Sequence, residues 1–228
     1  IKACDEFTIK NEPISSVFLM ERAAEKCIDY LAKKIDYHQK IYLFCGNVNN
    51  GGDGFAIARL LYYLCYDVTV FIDQANQGFS NDAAENFNRL KEISGVVIKD
   101  FSEVSTVLFE PDSVIIDALF GSGLNRNIEG KLATLIHQLN QIEACKISID
   151  IPSGIFADKI IDKDSTVFKA KETLSFQFYK KAFLHPEVGI FCGEIHLLDI
   201  GLHPDFTEST LVKDFTIDEE IIKTIYRP

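Results

Sequence analysis

Across residues 14–35, Met20, Ala23, Ala24, Cys27, Leu31 and Ile35 fall on one helical face, while Glu21, Arg22, Glu25, Lys26 and Lys33 lie largely off it. The spacing predicts an amphipathic helix covering a sheet. Beyond it the pattern alternates. Short apolar runs predict strands over 41–45, 67–72, 95–98, 113–119 and 146–151, and Val68, Thr69 and Val70 are β-branched. Helical spacing is expected over 55–66, over 81–93 with Ala84, Phe87 and Leu90, and over 131–142 with Leu132, Leu135, Ile136 and Leu139.

Strands that alternate with helices imply βαβ crossovers and a largely parallel sheet, and strands that are apolar throughout imply a sheet covered on both faces. The expectation is an α/β protein, a three-layer αβα sandwich formed as one domain over 1–228. The rhythm changes after Ser153. Residues 172–178 and 194–200 read as strands joined by a loop, so a mixed edge is expected there. Residues 218–226 read as a short helix.

The 228 residues are 47% hydrophobic and 25% charged, an ordinary globular balance. The net charge of -11 speaks against nucleic acid as a partner, since phosphate neutralisation needs clustered Lys and Arg. It leaves room for a nucleotide held by backbone N–H groups. No stretch approaches the roughly 20 apolar residues of a membrane span, and no signal peptide is visible. Cys4, Cys27, Cys45, Cys65, Cys145 and Cys192 form no CxxC pair, and the five histidines show no zinc-ligand spacing. Reduced, buried cysteines and a cytoplasmic protein without membrane contact are expected.

Three polar or glycine-rich segments follow three apolar strands, where doubly wound folds bind ligands. Gly46-Asn47-Val48-Asn49-Asn50-Gly51-Gly52-Asp53-Gly54 lies between a strand and a helix. It is expected to be a turn whose glycines permit positive φ and close backbone approach, ahead of a helix start with free N–H groups. Asp53 either contributes to a site or caps the helix. In Asp117-Ala118-Leu119-Phe120-Gly121-Ser122-Gly123-Leu124-Asn125-Arg126-Asn127, Asp117 ends a buried strand. Its carboxylate needs a cation or donors there, or it caps the next turn. Arg126 either grips a phosphate or sits in solvent. In Asp150-Ile151-Pro152-Ser153-Gly154, Asp150 and Ser153 project near one another at the sheet's mouth, in a site or as a turn-stabilising pair. Lys180, after Thr173-Leu174-Ser175-Phe176, is a further candidate, against the usual fate of a lone lysine in solvent.

Taken in order, with Leu19-Met20-Glu21-Arg22-Ala23 before them, these segments resemble the YjeF N-terminal family over nearly the whole chain. The enzymatic members are NAD(P)H-hydrate epimerases, isomerases that interconvert the R and S forms of hydrated NADH and NADPH (NADHX and NADPHX) in metabolite repair. The resemblance implies a Rossmann-like fold, commonly a homodimer, with a potassium ion in the site. Residues Asn49, Asn50, Gly51, Gly52 and Asp53 match the substrate-binding turn, Gly121 to Asn127 a second substrate loop, and Asp150 a substrate-contacting acid. Asn50, Asp117 and Ser153 match the potassium-contacting positions, and all three offer oxygen. A dehydratase, separate or fused, acts on the S form, and the abrupt end at Pro228 carries the expectation that such a domain follows.

The implied chemistry changes configuration at a carbon bearing OH beside the ring nitrogen, which needs a proton donor and acceptor near that hydroxyl. Asp150 is the first choice, with Asp53 and Lys180 as helpers. Two positions depart from the family pattern: Gly46-Asn47-Val48 stands where Gly-Pro-Gly is usual, and Asn127 where proline is common. Val48 replaces a glycine, so a different first turn is expected. The competing readings are a non-catalytic binding or scaffold module of the same fold and a redox dehydrogenase. The retained acids and asparagines oppose the first, and the missing GxGxxG opposes the second.

Overall fold

The computed structural model describes residues 1–211 and 219–226. Helices α1 (Lys2–Asn11) and α2 (Ser16–Lys34) precede β1 (Lys40–Cys45), α3 (Asn49–Tyr63), β2 (Asp67–Ile72), α4 (Asn81–Lys91) and β3 (Val97–Asp100). There follow β4 (Val114–Ala118), α5 (Gly130–Gln141), β5 (Cys145–Ile149), β6 (Glu172–Phe176), α6 (Pro186–Cys192), β7 (Glu194–Leu198), α7 (Pro204–Ser209) and α8 (Glu219–Ile225). The expected C-terminal helix is thus present as α8, while Asp218 lies outside the described residues.

The seven strands form one sheet in the order β3-β2-β1-β4-β5-β6-β7. The order reverses between β1 and β4, which pair directly from Ile41↔Val114 to Cys45↔Ala118. This is the topological switch point of a doubly wound sheet.

Burial explains why the strands read as continuous apolar runs. Ile41, Leu43 and Cys45 of β1, with Val114, Ile116 and Ala118 of β4, join a core with Ala24, Cys27 and Leu31 of α2 and Phe55, Ile57 and Leu61 of α3. The alternate residues Tyr42, Phe44 and Ile115 join Leu135, Ile136 and Leu139 of α5 in a second core. Successive side chains of a strand point to opposite faces, and here both faces are dry.

Three expectations are corrected. The far edge is not mixed, because β6 and β7 pair in parallel from Glu172↔Glu194 to Phe176↔Leu198. The segment between them is more than a loop: a 3-10 turn, Lys181–Leu184, and α6 return the chain to the starting end of the sheet, as a parallel pairing requires. Second, Asn49 to Gly54 is no turn before a helix but the start of α3 itself. None of its glycines has positive φ. Glycine weakens an exposed helix by about 1 kcal/mol relative to alanine, but here close packing overrides propensity. A Cβ on Gly51 would overlap the carbonyl oxygen of Gly46, and one on Gly54 would come 2.6 Å from Cys45 Sγ. Third, α1 was not anticipated. It buries only Cys4 and Thr8, too few for a periodic signal, and is tied down where the His203 N–H donates to Thr8 Oγ1 at 2.9 Å.

Candidate active site at the switch point

The loops after β4, β5 and β6 bring one buried charged pair to the mouth of the sheet. Asp150 stands one residue past β5 with φ 66°. The Ile151 N–H donates to the Ile149 carbonyl at 2.8 Å, closing a γ-turn around it, and the Asp150 N–H donates to Leu174 O at 2.7 Å. Left-handed φ is uncommon outside glycine, though Asp and Asn tolerate it best, and it costs of order 1–3 kcal/mol. The turn takes Asp150 out of the strand's alternation and aims its carboxylate across the mouth.

There it meets Lys180, with Nζ 2.5 Å from Oδ1. The same ammonium donates to Ser175 Oγ at 2.8 Å and to the Phe176 carbonyl at 2.9 Å. Three acceptors match its three N–H groups. Lys180 is therefore a buried, fully partnered lysine, not a solvated one. Asp150 Oδ2 accepts the Ser122 N–H at 2.8 Å. Burial alone would raise the Asp150 pKa, but the Lys180 charge and these donors outweigh it and hold the carboxyl below its ordinary value.

Asp117, at the switch-point strand β4, is fully buried. It accepts from Ser153 Oγ at 2.6 Å, Ser153 N at 2.8 Å, Ser148 Oγ at 3.0 Å and Leu119 N at 3.2 Å. Ser148 stands directly opposite Asp117 in the β4–β5 register. Burial raises the Asp117 pKa, while the four donors oppose it. The compensation that a buried carboxylate demands thus comes from protein donors. Ser153 also accepts the Phe120 N–H at 2.9 Å, so it clips the two loops together.

Asn50 lies in the first turn of α3, buried, with both Oδ1 and Nδ2 unpartnered. A Cβ on Gly121 would sit 3.1 Å from Asp150 Oδ2 and 3.3 Å from Asn50 Cγ. Glycine at 121 therefore lets the second loop pass between the amide and the carboxylate. Asp53 follows in the same helix. It is half-buried, and its pKa is raised by burial first and by Asp150 next.

The remaining candidates spread outward. Asn49 is exposed, and its Oδ1 accepts Ser80 Oγ at 2.7 Å. Gly51 and Gly52 are buried against Gly46 and Met20. Leu124 packs on the second core, while Gly123, Asn125, Arg126 and Asn127 are exposed and Asn127 Nδ2 reaches Asp162 at 3.4 Å. Val48 adopts φ -104°, extended backbone open to any residue, so replacing the family's glycine strains nothing. Val48 N-caps α3 without a side-chain hydrogen bond, so no side chain of the cap residue satisfies the first-turn N–H groups.

Two contributors carried no sequence signal. Asp5 belongs to the unanticipated α1. Its pKa is raised to about 6, by burial first, with Asp150 raising and Lys180 lowering it. Ser148 sits inside an apolar strand pattern and is recognisable only once β5 is laid beside β4.

The fold and this mouth define a Rossmann-like αβα protein with a candidate site at its switch point. The chain belongs to the family described as YjeF-related protein N-terminus, which it matches over residues 16–182. The NAD(P)H-hydrate epimerase of Oenococcus oeni is 28% identical over 200 residues, covering 87% of this chain and 92% of that protein. The NAD(P)H-hydrate epimerase of Lentilactobacillus buchneri is 32% identical over 204 residues, covering 87% and 90%. The bifunctional NAD(P)H-hydrate repair enzyme Nnr of Coxiella burnetii is 34% identical over 193 residues, covering 85% of this chain and 38% of Nnr. The crystal structure of yeast ynu0, YNL200c, shares the fold with a TM-score of 0.68 over 81% of this chain and 80% of that one, at 20% identity. Among the described residues no helix is long and apolar enough to cross a membrane.

Proposed function

We infer that this chain is an NAD(P)H-hydrate epimerase, interconverting the R and S hydrates of NADH and NADPH in nicotinamide-nucleotide repair. One observation carries the reading: the buried Asp150–Lys180 pair stands beside the unpartnered Asn50 amide at the switch point. The names of the Oenococcus oeni and Lentilactobacillus buchneri relatives support it.

The environments of two carboxyls diverge, and such divergence assigns acid and base roles. Asp53, pushed up by burial and then by the Asp150 charge, is the proton donor in this reading. Asp150, held low beside Lys180, is an acceptor. In the proposed step the ring nitrogen's lone pair forms a C=N bond as the C–O bond breaks. Asp53 gives its proton to the departing hydroxyl, which leaves as water. Water then adds to the other face and yields its proton to Asp150, and the C=N electrons return to nitrogen. Transfer of that proton from Asp150 to Asp53 restores both groups. Lys180 spends all three N–H donors inside the protein, so its role is to hold Asp150 ionised and oriented. The α3 N-terminus and the Gly121–Asn127 loop receive the dinucleotide.

A potassium ion belongs to the same proposal. The Asn50, Asp117 and Ser153 set that the resemblance implies is all oxygen; the buried, unpartnered Asn50 Oδ1 fits a cation ligand, while each Asp117 oxygen already accepts two protein donors, so Asp117 would act on the ion through its charge. Ser153 commits its proton to Asp117 and one lone pair to the Phe120 N–H, and keeps one lone pair for acceptance. The ion would supply a fixed positive charge that ties together the starts of the three loops. A homodimer, a cytoplasmic setting and a dehydratase that takes the S form complete the reading. The six free cysteines support that setting, and the bifunctional Coxiella burnetii relative supports a coupled second activity.

Purified protein given the R-hydrate of NADH should convert it to the S form. Unchanged R-hydrate that nevertheless binds would overturn the reading in favour of a binding module.

A further inference from the structure

Helix α1 is tied to the carboxyl end of the sheet, the end that bears Asp150 and Lys180. Gly201 and His203 follow β7 at that end. The His203 N–H donates to Thr8, and the Phe7 ring packs against His203 and Phe206, each with centroids 5.3 Å apart. Arg22 of α2 completes the clamp. It donates to the Gly201 carbonyl at 2.8 Å and pairs with Glu12, the residue that ends α1, at 2.7 Å. A helix that buries only Cys4 and Thr8 is thus fixed by ties at the site's end of the sheet.

The clamp sets Asp5 beside the candidate site. Its half-buried carboxyl lies within electrostatic reach of Asp150 and Lys180, and Asp53 lies within reach of both Asp5 and Asp150. The buried, unpartnered Asn50 amide stands across Gly121 from Asp150. Among the described residues, neither Asp5 nor Asp53 has a hydrogen bond or ion pair through its carboxyl. Lys180 cannot serve them, since its three N–H groups are spent. An acid in the first turn of a helix ordinarily gains from the helix dipole. Here burial outweighs the Ile1 amine and Lys180, which lower the Asp5 pKa, and the Asp150 and Glu6 charges add to it, so the carboxyl stands at about 6. A carboxyl kept without donors, at a cost to stability, points to a functional role.

We propose that Asp5 carries the proton between the two carboxyls of the reacting site. After water has yielded its proton to Asp150, that proton passes to the ionised Asp5. Asp5 then passes it to Asp53, which has given its own to the departing hydroxyl. Asp150 and Asp5 end ionised and Asp53 ends protonated, as each began. The first hop runs downhill, from a carboxyl of lowered pKa to one of raised pKa. The second joins two raised carboxyls. Asp5 acts through these two and does not meet the substrate. The proposal rests on the epimerase reading and adds to it a proton route supplied by α1.

The test measures kcat and KM for the R-hydrate of NADH in the wild-type protein, in Asp5→Asn and in Asp5→Ala. Both variants should lower kcat at least about tenfold, short of the roughly 10²–10⁴-fold worth of an acid or base that meets the substrate. KM should hold. Asn fills the same space with a group that carries no acidic proton, while Ala leaves room for a small acid. Added formate should therefore raise kcat of Asp5→Ala and leave Asp5→Asn and the wild type unchanged. Asp5→Glu, which keeps a carboxyl, should retain more activity than either. Unchanged kcat, a loss confined to KM, or a loss in Asp5→Ala that formate does not restore would overturn the proposal. A wild type that binds the hydrate and epimerises none of it would instead sink the epimerase reading on which the proposal rests.

Discussion

The Lys180 ammonium and the Asp150 carboxylate meet at 2.5 Å with the lysine side chain wholly out of water. Removing one partner leaves a buried charge alone, which costs about 3–5 kcal/mol. Asp150→Asn keeps a residue that tolerates the left-handed backbone, so it isolates the charge. We expect epimerisation to fall about 10²–10⁴-fold, the usual worth of a positioned acid or base, and the melting temperature to fall with it. The double variant Asp150→Asn/Lys180→Met should recover stability without activity. Asp150 is held below its ordinary pKa of 3.8. The pair's stabilisation is therefore present above that value and is lost as pH falls through the depressed one, which urea unfolding at graded pH will show.

Asn50 gives the opposite signature. A buried amide with neither atom partnered costs about 1–3 kcal/mol. Asn50→Leu, of similar size, should therefore raise the melting temperature of the ligand-free protein while abolishing epimerisation. If potassium binds there, replacing choline chloride by potassium chloride should raise the melting temperature of the wild type but not of Asn50→Leu. Unchanged activity in the variant would remove Asn50 from the site.

Gly51→Ala tests packing against propensity. In an exposed helix the change gains about 1 kcal/mol. Here the new methyl overlaps a backbone carbonyl, that of Gly46, which has no rotamer to turn away. We expect a loss of several degrees in melting temperature, outweighing the propensity gain by at least about 1–3 kcal/mol.

Asp5 titrates at about 6 in the folded protein against an ordinary 3.8. The folded state then holds more protons than the unfolded state between those values, so stability falls as pH rises from about 4 to about 6. Asp5→Asn removes that penalty. It should stabilise the protein above pH 6 and leave it unchanged below pH 4, as measured by thermal melts across that range.

What the sequence made legible followed from how each element is buried. β4 is apolar from Val114 to Ile116 because both faces of the sheet are covered, so it stands out as a run. β6 and β7 were also legible as strands, but their mutual direction depends on the seven-residue α6, too short to declare itself by periodicity. The glycines of α3 read as a turn by local preference, and their tertiary neighbours (Gly46 against Gly51, Met20 against Gly52, Cys45 against Gly54) explain why glycine stands in a helix there. Asp117, Asp150, Ser153 and Asn50 were visible because polar residues interrupt apolar strand ends. Asp5 was not, since α1 buries only two residues.

A sheet whose strands all run the same way has no hairpin to form first. Every pairing waits for a crossover to close, which makes such folds slow to assemble. The residues of the candidate site are distributed along that path: Asn50 follows β1, Asp117 lies near the end of β4, Asp150 follows β5, and Lys180 follows β6. A chain cut or stalled before β6 lacks the ammonium that holds Asp150 ionised. Return of catalysis after dilution from denaturant therefore reports completion of the sheet through β6, and it should lag the return of helical circular dichroism.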